Sequence, residues 1–301
     1  MGDMALMGPE LDRIAKPAKA YKLALIVKTR NNPFFDPMIK AAEAEAKALG
    51  CSLEVQSPAQ ETDKERQFAL VQDMAAKGVD AILVTPADSK GIVPALKAAS
   101  AKGVTIINLD NRVDVETAKA AGLEMGGYVG AENNMGGRMA GLALLRAMGN
   151  KGKAAILEGI RGVDNAEARR SGFEQAVSGK LEIVAKESAE WDTQKAYDKF
   201  TAILAAHPDL GGVFCANDKM AVGALKAIKE ANKQIKVVGY DNIADVKPAL
   251  ESGEMVATIE QHPDEMGKYG VKMAVGVLSG KLPKGRRFNV NLEVIKGAKV
   301  P

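Results

Sequence analysis

From residue 21 onward two hydrophobic patterns alternate along the chain. Runs such as "KLALIVK" (22–28), "VDAILVT" (79–85) and "VTIINLD" (104–110) hold four to six apolar residues with little interruption. Such runs read as strands buried on both faces, the habit of parallel sheets. Between them lie longer stretches with helical spacing, "DPMIKAAEAEAKALG" (36–50) and "DKERQFALVQDMAAKG" (63–78). Gly50, Gly78 and Gly103 follow these stretches, where a helix C-terminus favours glycine. The second half repeats the alternation in "KAAILEG" (153–159), "LEIVAKES" (181–188), "TQKAYDKFTAILAAHP" (193–208), "LGGVFCAN" (210–217), "MAVGALKAIKEAN" (220–232) and "IKVVGYD" (235–241). The pattern predicts an α/β chain, doubly wound, with helices on both faces of parallel sheets.

One unit recurs in sequence. Residues 87–98, "ADSKGIVPALKA", match 216–227, "ANDKMAVGALKA", at seven of twelve positions. With the strand–loop–helix context shared, duplication of an α/β unit is the expected origin. Each copy leads to a strand ending in Asp, Asp110 and Asp241. Open parallel sheets bind ligands beyond the carboxyl ends of their strands. Two lobes facing each other would put these carboxylates on opposite walls of one cleft. "NNPFF" (31–35) also follows a strand, so Phe34 and Phe35 either line that cleft or pack beneath the next helix.

At 301 residues, with 47% apolar and 26% charged residues, the composition suits one large or two ordinary domains. A net charge of +3 argues neither for nucleic acid nor for an anionic membrane. No run approaches the roughly 20 apolar residues of a spanning helix. "MGDMALMGPELDRIAKPAKA" (1–20) lacks the apolar core of a signal peptide. Cys51 and Cys215 are too few for a disulfide framework and are expected as small core residues.

Catalytic chemistry finds little support. The two histidines, His207 and His262, each sit in a turn-like "HPD". No GxSxG, HExxH or GxxxxGK[ST] occurs, and the glycine pairs at 126–127, 136–137 and 211–212 lack the GxGxxG spacing. An enzyme is not expected, nor a cofactor or a metal. What remains is a set of polar and aromatic residues at strand ends, including Thr85, Asn111, Trp191, Asn217 and Gln261. Carboxylates and amides hydrogen-bond vicinal hydroxyls, and flat rings stack on the C–H faces of a sugar. Such a set suits a neutral polyhydroxylated ligand. A phosphate would call for Arg or a glycine-rich helix N-terminus.

The motifs "NNPFF", "LDNRVD", "NAEARRSGF", "CANDKMAVGAL", "VVGYDN" and "ATIEQHPDEMG", in this order, resemble the type-I periplasmic sugar-binding proteins of ABC importers, those for ribose in particular. The resemblance runs from about residue 21 to 296. It implies two Rossmann-like lobes joined by a three-strand hinge, with crossovers near Ala131/Glu132, Gln261/His262 and Asn291/Leu292. The implied division is an N-terminal extension (1–20), an N-terminal lobe (21–131 with 262–291) and a C-terminal lobe (132–261 with 292–301). It carries over Asn32, Phe34, Phe35 and Asp110 as ligand contacts in the first lobe. In the second it carries over Asn217 and Asp241, with Gln261 at the hinge and Trp191 as an aromatic contact. The chain departs from the ribose binders at Thr85, where they have Asn, and at Asn111 and Glu167, where they have Arg. Arg169 matches their separate "RxxGF" pattern. Losing two guanidinium forks removes strong donors, so another pentose, a hexose, a polyol or a cyclitol is expected in place of ribose. Glu167 either touches that ligand or pairs with Arg169 or another cation. The expected partners are the sugar and a membrane ABC permease. A chemoreceptor is a further partner the resemblance allows, and the protein is expected to be a monomer. The implied location is periplasmic or otherwise extracytoplasmic, with the signal peptide removed. The rival reading is the effector domain of a lac-repressor-type regulator. That class places a DNA-binding motif of some 50–60 residues ahead of the first lobe, where only about 20 precede "KLALIV".

Overall fold

The computed structural model describes residues 8–298. In chain order the first elements are α1 (Gly8–Asp12), β1 (Lys22–Ile26), α2 (Phe35–Ala48), β2 (Ser52–Gln56), α3 (Lys64–Ala76), β3 (Ala81–Val84), α4 (Val93–Ala101), β4 (Thr105–Leu109), α5 (Val115–Ala120) and β5 (Gly127–Gly130). Then come α6 (Asn133–Ala147), β6 (Lys153–Glu158), α7 (Asp164–Val177), β7 (Glu182–Ser188), α8 (Thr193–Ala206), β8 (Leu210–Cys215), α9 (Asp218–Glu230), β9 (Lys236–Val238), α10 (Lys247–Ser252) and β10 (Met255–Glu260). The last are α11 (Pro263–Leu278), β11 (Arg286–Asn289) and β12 (Glu293–Lys296).

These elements form two compact units. Unit 1 runs to Ala131 and takes in His262–Asn291; unit 2 is Glu132–Gln261 with the chain from Leu292. The chain therefore passes between units after Ala131, Gln261 and Asn291. Each unit is built on a six-stranded sheet, in the order β11-β5-β4-β3-β1-β2 or β12-β10-β9-β8-β6-β7. Position for position the two orders correspond, so β3 and α4 occupy in unit 1 the place of β8 and α9 in unit 2. Those are the segments that carry the sequence repeat. All pairings are parallel except β10 with β12, an antiparallel edge.

The strands form because their runs are apolar on both faces: every residue of β3, and all of β6 after Lys153, is buried. In unit 1, α3 and α4 pack Leu70, Val71, Val93 and Leu96 over Ile26, Ile82 and Val84. In unit 2 the Phe173 and Phe214 rings stack 4.7 Å apart. Of the segment set apart as an N-terminal extension, residues 1–7 lie outside the described residues. The described remainder is attached to unit 1, with Leu11 and Ile14 buried and α1 packed on α11. Cys51 and Cys215 are both unbonded and buried, one in each unit.

Candidate functional site

In each sheet the chain starts at an inner strand, steps to the edge, then returns past its start: β1 to β2 to β3, and β6 to β7 to β8. The reversal leaves a crevice at the carboxyl ends of those strands, the usual ligand position in such sheets. The candidate residues fall there or on the helices that start there.

In unit 2 the centre is Arg169, 2% exposed on α7. Its Nε donates to Asn133 Oδ1 (2.8 Å), one terminal nitrogen to the Ala216 carbonyl (2.9 Å) and the other to Gln261 Oε1 (3.3 Å). Asp241 Oδ1 lies 3.6 Å from the Arg169 guanidinium and accepts from Gln261 Nε2 at 2.7 Å. The guanidinium carbon is 3.8 Å from the Tyr240 ring centroid and 5.6 Å from that of Trp191. A buried cation is thus offset by a buried carboxylate and flanked by two rings. Asn217 caps α9, its Oδ1 accepting from Met220 N–H at 2.9 Å. The sequence candidates Arg169, Asp241, Gln261 and Trp191 therefore sit together, with Asn217 beside them through Ala216.

The local sequence explains the convergence. On α7 the residues at helical spacing 166, 169, 173 and 177 are buried, while 167, 170 and 174 form an outer row. Gly137 on α6 admits the α7 backbone: a Cβ there would lie 2.1 Å from the Arg169 carbonyl oxygen. Gly159, after β6, leaves room for the Trp191 indole, which a Cβ would meet at 2.0 Å. Of the pair at 136–137, Gly137 thus serves helix packing, while Gly136 leaves room for the Tyr240 ring, whose hydroxyl a Cβ would meet at 1.9 Å.

Glu167 does not pair with Arg169. Two residues apart, they leave the helix in different directions. Its carboxylate accepts from Arg170 (2.7 Å) and from the Gly162 backbone N–H (2.9 Å), and those bonds hold it below the usual carboxylate range.

In unit 1, Asp110 follows β4 and Asn32 follows β1. Asn32 Oδ1 accepts from the Phe34 N–H (3.1 Å), and its amide nitrogen donates to Glu61 (2.8 Å). Phe34 and Phe35 do not extend from a loop. Phe34 is the α2 N-cap and Phe35 its first residue, and both are buried with their rings edge-on at 5.1 Å. Thr85 is fully buried and its Oγ1 has no hydrogen-bond partner among the described residues. Asn111 is fully buried too, and its amide nitrogen is spent on the Pro86 carbonyl (2.8 Å) and Ser89 (3.3 Å). It ties the turn after β4 to the loop after β3.

Asp110 and Asp241 are counterparts. Asp110 directly follows β4 and Asp241 lies three residues past β9, the fourth strand of each unit, and both have positive φ, 56° and 113°. Both donate their backbone N–H to the neighbouring strand, Asp110 to Val129 (2.9 Å) and Asp241 to Ile259 (2.8 Å).

Sequence reasoning missed several residues that build the site. Tyr240 and Asn133 hold Arg169. Lys28, 2% exposed, lies just past β1. Asp218 accepts from Thr258 Oγ1 (2.9 Å), Tyr240 N–H (2.9 Å) and Ile243 N–H (3.1 Å), pinning the loop that carries Asp241. Burial raises its pKa to about 7 against the pull of those donors. Its signal was its place opposite Ser89 in the repeat, where a polar residue follows the strand. His262 caps α11 with φ 50°, and His207 closes α8. Among the described residues no His, Cys, Asp and Glu side chains cluster as a metal site.

A family model described as periplasmic binding protein domain matches residues 23–282. The chain is 35% identical over 274 residues to the D-ribose/D-allose-binding protein of Pseudomonas aeruginosa, covering 89% of this chain and 86% of that protein. It is 34% identical over 283 residues to the D-allose-binding periplasmic protein of Escherichia coli, covering 92% and 90%. Among solved structures it is similar to an ABC transporter periplasmic solute binding protein of Actinobacillus succinogenes with bound D-allose. The TM-score is 0.87 and the identity 39%, with 93% of this chain and 98% of that chain covered.

Proposed function

The chain belongs to the periplasmic binding protein domain family, and from that premise we propose that it is an extracytoplasmic receptor that captures a neutral sugar and delivers it to an ABC permease. The observation that carries the reading is the buried set Arg169, Asp241 and Gln261 between the Trp191 and Tyr240 rings. Its charges cancel, so it asks for no charged ligand. Its carboxylate, held by Gln261 and Arg169, is oriented to accept from vicinal hydroxyls. The Trp191 ring offers a face for sugar C–H groups.

Asp110, the counterpart of Asp241, supplies the same chemistry from unit 1. The unbonded Thr85 hydroxyl supports a further contact there. We assign Asn32 and the two Phe rings to shaping that wall. Asn111 and Glu167, with side chains spent on Pro86, Ser89 and Arg170, are the weakest members of the set. D-Allose and D-ribose, named for the relatives, are the first probes, and replacement of two Arg positions argues against ribose itself.

Trp191 is the only tryptophan of the chain, so its emission reports this site without interference. A panel of pentoses, hexoses, polyols and inositols should contain a member that shifts that emission saturably and raises the melting temperature. A ligand at 100 times its Kd stabilises by about 2.7 kcal/mol, a shift of several degrees. A sugar that raises the melting temperature while leaving the Trp191 emission unchanged would place binding elsewhere.

A further inference from the structure

Unit 1 holds a pocket of about 610 Å³ that none of the residues assigned above to the sugar lines. Its origin is topological. One face of β3, β4 and β5 is covered by α11, and Gly127 lies against Met273 on that side. Side chains alternate along strands, so Tyr128 faces the other way. On that side α5, six residues long, is the helix beside the pocket. A row of paired residues, Asn108, Tyr128 and Arg287, crosses β4, β5 and β11 and makes the floor.

The floor is rigid. Asn108 accepts from Val113 N–H (2.9 Å) and donates to the Asn111 carbonyl (2.7 Å), and Tyr128 donates to the Asp110 carbonyl (2.9 Å). The Arg112 guanidinium lies over the Tyr128 ring at 4.9 Å. One wall is apolar: Val115, 68% exposed, with Leu123 and Met125. Five lining residues are basic and one, Glu124, is acidic and bridged to Lys284 at 2.8 Å.

We propose that this pocket is a second binding site, for a small amphiphilic anion with a carboxylate head and an apolar body. The basic excess of the lining, with Lys119 as its exposed member on α5, attracts the carboxylate. The body lies along the exposed Val115 and the half-buried Met125. The volume falls within the range of small-molecule sites, about 300–1,000 Å³.

The test is calorimetric titration of the full chain with 3-phenylpropionate, its neutral amide and inorganic phosphate. Lys119→Glu and Val115→Glu are made in parallel. Both positions are exposed on α5, so the melting temperature should stay at the wild-type value. One-site binding of the acid is expected, with the amide, phosphate and both variants each weaker by about tenfold or more. No heat up to about 10 mM acid, equal binding of acid and amide, or unchanged binding in both variants overturns the proposal. Phosphate binding as tightly as the acid overturns the apolar half of it.

Discussion

Arg169 shows how much of the site depends on single side chains. Fully enclosed, it satisfies itself through Asn133, Ala216, Gln261 and Asp241. Removing one partner of a buried ion pair costs about 3–5 kcal/mol, because the other charge stays buried alone. Arg169→Ala should lower unfolding stability by about that amount in urea titrations. Arg169→Lys should recover less than half, since an ammonium cannot make the planar fork. A loss in Arg169→Ala below about 1 kcal/mol, the range of an exposed pair, would show that the pair is not held as described. Arg169 was singled out only through the family resemblance, by its "RxxGF" pattern; the structure shows it inward, with 166 and 173, at the helical period. Glu167 was left open between a ligand contact and a pair with Arg169 or another cation, and its direction on the helix gives it Arg170. Asp110 and Asp241 were legible as strand ends. Their positive φ values were not, since no local pattern forces an Asp into that region; tertiary bonds, among them those to Val129 and Ile259, hold it there.

At the scale of elements, the joints between strands and helices do the positioning. Asp63, Asp114, Asp192 and Asn217 cap α3, α5, α8 and α9 through their own side chains, as short polar residues at these places should. The α6–α7 contact was not legible. A glycine pair in a helical run has several uses, and its meaning depends on which helix arrives from elsewhere. Gly137→Ala should force the two helices apart, since no rotamer moves a Cβ away from the Arg169 carbonyl. Overpacking of this kind costs about 1–3 kcal/mol, and sugar affinity should fall with it because Arg169 moves. Wild-type stability and affinity in that variant would contradict the packing described. Asp218 links a joint to pH. Its folded pKa, about 7, lies above the unfolded value of 3.8. Its contribution is therefore fully present below pH 3.8 and is lost as pH rises through about 7. Asp218→Asn should remove that dependence. The stability difference between wild type and variant should thus change between pH 4 and 7 and level off above it. A constant difference across that range would mean that Asp218 is already ionised at low pH.

At the scale of the whole chain, the alternation of buried runs and amphipathic stretches was enough to read α/β. The repeat of 87–98 in 216–227 was enough to read duplication, since the two segments occupy matching places in sheets of matching order. The exchange of α11 and β11 into unit 1 was not readable from periodicity. A helix carries the same amphipathic pattern whichever sheet it covers, so that expectation came from the family resemblance alone. The antiparallel edge strand β12 escaped for a related reason: "EVIK" is short and partly exposed, so it lacks the apolar signature of an inner strand. The central claim is that Asp241, oriented by Arg169 and Gln261, binds the hydroxyls of a neutral sugar. Charge-assisted hydrogen bonds contribute about 1.5–3 kcal/mol each. The most direct measurement is calorimetric titration of D-allose, with D-ribose as comparator, into the wild-type chain and Asp241→Ala. The account predicts one-site binding by the wild type and at least about tenfold weaker binding by the variant, with the variant still folded by circular dichroism. Where neither sugar gives heat, the panel member that shifts the Trp191 emission takes its place; equal affinity in the two proteins would contradict the account.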